Sequence, residues 1–200
     1  GGLVLESFNA GAFIQNKKLL QKVNLEGNID GQGFKIDNAS FLLDAEITNT
    51  GINGYSYDFI KANGRFAASY FQGSLFVDDP HCKINGVGTL NLGIFPEQIE
   101  VRAFVDQLDF KDLGLSDEDI SLKTAVYANV TGLNIDSLIG KIYLDSTTLV
   151  WEDKEIILDT IAIESERNEG IRSIYVDLAE ANLELTGDFY FSQLTKDISL

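Results

Sequence analysis

The sequence has no methionine, one cysteine (Cys82), one histidine (His81), one tryptophan (Trp151) and two prolines (Pro80 and Pro96). A single cysteine cannot close an internal disulfide, which excludes the disulfide-scaffold class. His81 and Cys82 are adjacent, and adjacent strand residues point to opposite faces, so they are poorly placed to share a metal. The pair is expected as a turn histidine beside an ordinary buried cysteine. No apolar run approaches the roughly 18 residues of a membrane-spanning helix, and no signal-peptide pattern opens the chain. The GxSxG elbow, the phosphate loop and the Rossmann fingerprint are all missing. No cofactor is implied, and no catalysis is expected.

Positive charge is also scarce: 15 Lys and Arg stand against 31 Asp and Glu, for a formal net charge of -16. Nucleic acid is thereby excluded as a partner, since its phosphates would be repelled. Electrostatic adhesion to an anionic membrane is disfavoured on the same ground. The acid is concentrated in residues 101–200, where it is expected to form a solubilising surface. Asp78-Asp79 could serve glycoside hydrolysis or calcium, but the regular oxygen-ligand spacing of a calcium loop is missing and Asp is common in turns. Without methionine and opening on Gly-Gly, the sequence reads as a segment of a longer protein.

What is present is alternation. Val23, Leu25 and Ile29 alternate with polar neighbours, as do Ile99, Val101 and Val105, then Leu122, Val126 and Val130, then Leu183, Leu185 and Phe189. A period of two with one apolar face marks half-buried strands. Asn63-Gly64 reads as a hairpin turn, Gln72-Gly73 and Asp78–His81 as the next two joints, and Glu152–Lys154 and Arg167–Gly170 as later ones. Strands are also expected near residues 34–36 and 41–47. Short helical segments are expected at residues 10–21 and 110–115, with Ser116–Asp119 as a helix cap. The class is all-β, with one or two short helices per repeat.

A repeat runs through the chain. Leu5–Asn9 matches Val105–Asp109, Asn28–Gly31 matches Asn129–Gly132, and Tyr57–Ile60 matches Leu158–Ile161. Leu75–Asp78 matches Ile174–Asp177 and Gly86 matches Gly187, so every offset falls between 99 and 101. Near-constant spacing over the whole length predicts two units, about 4–103 and 104–200, within one elongated β domain.

The segments Gly54–Tyr57, Ile60–Gly64, Phe71–Leu75, Asp78–Pro80 and Leu108–Leu115 together resemble the TamB family of translocation and assembly module proteins, more narrowly its Bacteroidetes branch within the AsmA-like group. The likeness spans nearly the whole chain from about Leu5, and rests on turn and strand patterns. It departs at His81-Cys82, where a polar residue would be expected after the proline.

The resemblance implies a periplasmic segment of a parent anchored in the inner membrane by a helix outside this chain. It implies an elongated antiparallel sheet curled into an apolar-lined groove. It further implies phospholipid passage between the two membranes, or assembly of outer-membrane proteins and autotransporters, with the assembly machinery met through other parts of the parent. The twelve alternating residues named above are then the groove candidates. From pattern alone a closed β-sandwich stays open, as does an adhesin or carbohydrate-binding module displaying Trp151, Tyr55 or Tyr57.

Overall fold

The computed structural model describes residues 1–9, 22–32, 40–52, 54–132, 136–179 and 181–190. Over these residues the chain forms one antiparallel sheet of 12 strands, ordered in space as in sequence. The first six are β1 (Gly2–Asn9), β2 (Lys22–Gln32), β3 (Ser40–Ile52), β4 (Tyr55–Ala67), β5 (Tyr70–Asp79) and β6 (Cys82–Asn91). The next six are β7 (Gln98–Asp109), β8 (Ile120–Thr131), β9 (Ile139–Trp151), β10 (Lys154–Asn168), β11 (Ile171–Leu178) and β12 (Ala181–Gly187). The strands pack chiefly on their ladder neighbours, and no second sheet faces this one among the described residues. The fold is an open, elongated β-meander.

Register turns the alternation of single strands into rows that run across many strands of the sheet. One row runs Leu25, Ile47, Ile60, Val77, Ile84, Val105 from β2 to β7. The adjoining row runs Gly27, Ala45, Ala62, Leu75, Gly86, Ala103, Val126, Leu144, Ile161, Leu178 from β2 to β11. Because a one-residue slip would turn every one of these side chains to water, the shared apolar face holds the register. The opposite face is mixed: it carries cross-strand ion pairs, Lys61–Glu46 at 2.9 Å and Lys141–Glu164 at 2.8 Å, beside exposed Leu42, Phe76, Val87 and Phe104.

The sheet curls toward its apolar face. Sheets of this width twist and curl rather than lie flat. Glycine makes room where strands close in on the inside of the curl: a β-carbon at Gly64 would sit 2.6 Å from the Phe71 ring, and one at Gly86 2.9 Å from Ala103 Cβ. Both distances are too short for any side chain.

Several expectations need correction. Asn63-Gly64 and Gln72-Gly73 are not turns but lie inside β4 and β5, where Gly64 faces Gly73. The hairpin is made instead by Ala68-Ser69, whose φ angles are +48° and +66°. Glycine in these strands permits close strand approach rather than a reversal. No helix occurs among the described residues. Residues 110–115 form a single hydrogen-bonded turn, with Leu113 N donating to Asp109 O at 3.1 Å and Leu115 N to Phe110 O at 2.8 Å. Ser116 Oγ accepts from Glu118 N at 3.1 Å in a local turn, and strand β8 follows instead of a helix. The alternation from Ile120 onward suits a strand and gives no helical stripe to bury. The segments expected at 10–21 and 34–36 lie outside the described residues. The joints at Pro80-His81, Glu152-Asp153 and Glu169-Gly170 fall where the sequence placed them.

The matched segments occupy strands six apart: β1 and β7, β2 and β8, β4 and β10, β5 and β11, β6 and β12. The β1–β2 ladder shifts register between Leu5 and Phe8, and the β7–β8 ladder shifts between Val105 and Leu108, the same offset again.

Candidate functional site

The candidate site is the apolar face itself, and its two ends differ. At one end the β7–β8 connection folds back over the sheet. Leu113, 2 % exposed, packs there with Ile60, Val77 and Cys82, and Tyr55, Tyr57 and Leu108 close around them. This is the covered part of the face and a local core.

Polar contacts fasten the cover. Asp79 is buried, and its carboxylate accepts from Tyr55 Oη (2.6 Å), His81 N (2.9 Å) and Asp58 N (3.0 Å). Burial pushes this carboxyl upward, but the Tyr55 hydroxyl and the two backbone N–H groups outweigh it and hold the group below its ordinary value. Asp79 thus caps the β5–β6 turn. Burial, with the bond to Asp79, raises the Tyr55 hydroxyl in turn.

His81 sits in the β5–β6 turn, its Nδ1 3.0 Å from Asp109 Oδ2 and 3.3 Å from Asp112 Oδ2. Gln107 Nε2 donates to Asp109 Oδ2 at 2.8 Å, and Asp109 N donates to His81 O at 2.9 Å. His81, Asp109 and Asp112 are the one group of cation-ligating side chains among the described residues, a gathering that the sequence did not reveal. Their placement is explained by fastening, because Asp112 belongs to the same turn as Leu113. The Tyr55 hydroxyl, whose ring packs edge-on to the His81 ring at 6.1 Å between centroids, donates to Asp79.

Cys82 is buried, and burial, reinforced by the Asp79 and Asp109 carboxylates, pushes its thiol up to about 11. The thiolate is the reactive form. Native Cys82 should therefore react with a disulfide reagent at pH 8 at least about a hundredfold more slowly than in denaturant, the factor set by two units of pKa. Comparable rates in the two states would show that this end of the face opens freely.

Away from the cover the face is open. Across β4–β7 a cleft of about 360 Å³ is lined by Ala62, Phe71, Leu75, Gly86, Gly88, Val101 and Ala103 with almost no polar surface. The small residues come from neighbouring rows of glycine and alanine, where the sheet carries least side chain. Toward β12 the apolar side chains stand increasingly in water, with Leu185 46 % and Leu183 62 % exposed.

The predicted groove residues divide accordingly. Val23, Val105 and Val130 are buried, Leu25, Ile99, Val101, Leu122 and Val126 are half-buried, and Ile29, Leu183 and Leu185 are exposed. Phe189 lies just beyond β12 and is half-buried. Ile99 and Val101 line the cleft. Sequence reasoning missed Ala62, Phe71 and Leu75, which flank the expected turns Asn63-Gly64 and Gln72-Gly73, and it missed Gly86 and Gly88, which bring no apolar side chain to the alternation of their strand.

On the mixed face, Arg102 lies 5.3 Å over the Tyr127 ring, Tyr127 stacks on Tyr143 at 6.1 Å, and Phe104 is exposed. Trp151 is also exposed, whereas Tyr55 and Tyr57 pack on the covered core.

These features define a class: an open single-sheet meander with one apolar face, partly roofed at one end. No family model matches the chain, and neither a curated protein nor a solved structure does. No helix long and apolar enough to cross a membrane is found among the described residues.

Proposed function

We propose that this chain is a periplasmic segment of an envelope bridge of the TamB type, offering its apolar sheet face to phospholipid acyl chains or to apolar strands of outer-membrane client proteins in transit. The observation that carries this reading is the pair of apolar rows crossing the sheet with no second sheet over them among the described residues. An acyl chain laid along the rows leaves water at a gain of about 0.8 kcal/mol per CH₂ buried. Antiparallel sheets allow this division, one face apolar and the other wet. The role is binding and conduction, without catalysis, and the membrane anchor belongs to other parts of a parent protein.

A photoreactive phospholipid tests it directly. The unmodified protein is expected to take up the lipid, with adducts at Leu25, Val101 and Val126 and not at Arg102 or Tyr127. No uptake, or adducts spread evenly over both faces, would overturn the reading.

A second reading, a carbohydrate-binding module, draws support from the Arg102–Tyr127–Tyr143 platform, since aromatic and cationic faces of this kind suit sugar rings. Oligosaccharide binding abolished by Tyr143→Ala, in a protein that takes up no lipid, would favour it.

A further inference from the structure

We propose that His81, Asp109 and Asp112 bind one divalent first-row metal ion, zinc being the cation their donors suit, and that the ion clasps the roof to the sheet. Three pieces of the chain meet there. The β5–β6 turn brings His81, the end of β7 brings Asp109, and the turn that carries Leu113 brings Asp112.

The number of available hydrogens sets this cluster apart from an ordinary ion pair. His81 Nδ1 lies 3.0 Å from Asp109 Oδ2 and 3.3 Å from Asp112 Oδ2. An imidazole nitrogen carries at most one hydrogen, so a single N–H has to serve two negative oxygens whether the ring is neutral or charged. A dipositive ion set among the three atoms takes both carboxylates and the nitrogen lone pair together. The spacing fits, because donors about 2.0–2.2 Å from a zinc ion stand about 3–3.5 Å from one another. All three ligand atoms already lie within 4.8 Å of each other, and Asp112 is exposed, so a side-chain rotation completes the set. Imidazole combined with carboxylate suits zinc and its neighbours, whereas magnesium and calcium favour oxygen donors alone.

The ligands are positioned by bonds that leave the ring nitrogen free to coordinate. His81 N donates to the Asp79 carboxylate at 2.9 Å, and Asp109 N donates to His81 O at 2.9 Å. Gln107 Nε2 donates to Asp109 Oδ2 at 2.8 Å and orients that carboxylate, as the carboxylates of metal sites commonly are. His81 is part-exposed and Asp112 exposed, which gives an entry path and room for water to complete the coordination. Because Asp112 precedes Leu113, an ion held here pins the residue that covers Ile60, Val77 and Cys82. The clasp is independent of whether the open part of the face carries lipid.

The test is a zinc titration of the full chain by calorimetry in excess magnesium, with thermal melting alongside. One zinc per chain is expected, and at zinc about a hundredfold above its Kd the Tm should rise by about 5–10 °C. His81→Ala keeps the two backbone bonds of the turn, and Asp112→Asn alters an exposed side chain, so both should melt near the parent without zinc. Each should weaken zinc binding by about tenfold or more. Cys82→Ala controls for capture by the thiol and should bind zinc as the parent does. Parent-like binding by either ligand variant, loss of binding in a folded Cys82→Ala, or only weak uptake of many ions per chain would each overturn the site.

Discussion

Val77→Asp is expected to lower the melting temperature by about 10 °C or to prevent folding. Val77 is 5 % exposed beneath Leu113, in contact with Ile60 and Cys82. Removing the valine forfeits about 1.5–3 kcal/mol of burial. A carboxyl left there without a partner adds about 1–3 kcal/mol more. In a domain of this length each kcal/mol corresponds to about 2–4 °C. Thermal melting followed by circular dichroism measures the drop, and Val77→Ala separates lost packing from the stranded charge. A melting temperature within a degree or two of the parent would show that Leu113 does not seal this end.

The same variant carries a pH signature of definite sign. Burial raises the pKa of the introduced carboxyl, so its penalty is full above that raised value and is relieved as the pH falls through it. Asp79 behaves in the opposite sense. Its folded value is depressed, so its contribution is full above the ordinary carboxyl range and is lost only as the pH falls through the depressed value. From neutral to mildly acid pH the gap between variant and parent should narrow before Asp79 begins to protonate.

The fold was legible because its main signal is local. Alternation at residues such as Leu25–Ile29 and Ile99–Val105 depends only on neighbours in sequence, and in a meander each strand meets only its neighbours in space. The matched segments of the two halves fall on strands six apart, but the β5–β6 ladder pairs Val77 with Ile84 where the β11–β12 ladder pairs Val176 with Leu183, so the registers do not follow the offsets read from the sequence. Turn positions were less legible. Ala68-Ser69 carries no residue that favours positive φ, whereas Asn63-Gly64 carries the strongest hairpin pair and is held extended by ladders on both sides. Pairing with β3 and β5 overrode the local preference.

The roof over one end could not be read from the sequence at all. Leu113 has no periodicity to announce it, and the meeting of His81 with Asp109 and Asp112 needs the β5–β6 turn and the end of β7 to lie side by side. Nor does alternation say which apolar face is covered. Val105 and Val101 belong to one stripe on one strand, yet the first is buried and the second borders the open cleft. That difference separates residues that hold the protein together from residues available to a ligand.

Val101→Asp should accordingly behave unlike Val77→Asp. Val101 stands over the cleft opposite Gly88, half in contact with solvent, so an aspartate there keeps access to water and stays ionised. Its cost to folding should be about 1 kcal/mol or less, a shift of about 2–4 °C. Its cost to an acyl chain is larger, because the chain must either leave the carboxylate hydrated and lose contact with the cleft or strip its water. Loss of two buried CH₂ groups at about 0.8 kcal/mol each already exceeds the 1.4 kcal/mol that makes a tenfold change. Lipid uptake should therefore fall about tenfold or more while the protein remains folded. Arg102→Asp changes charge on the neighbouring residue but on the wet face, and should leave uptake unaltered. If Val101→Asp unfolds the protein as Val77→Asp does, the face is a core. If Arg102→Asp reduces uptake equally, the lipid is held by charge and not by the apolar rows.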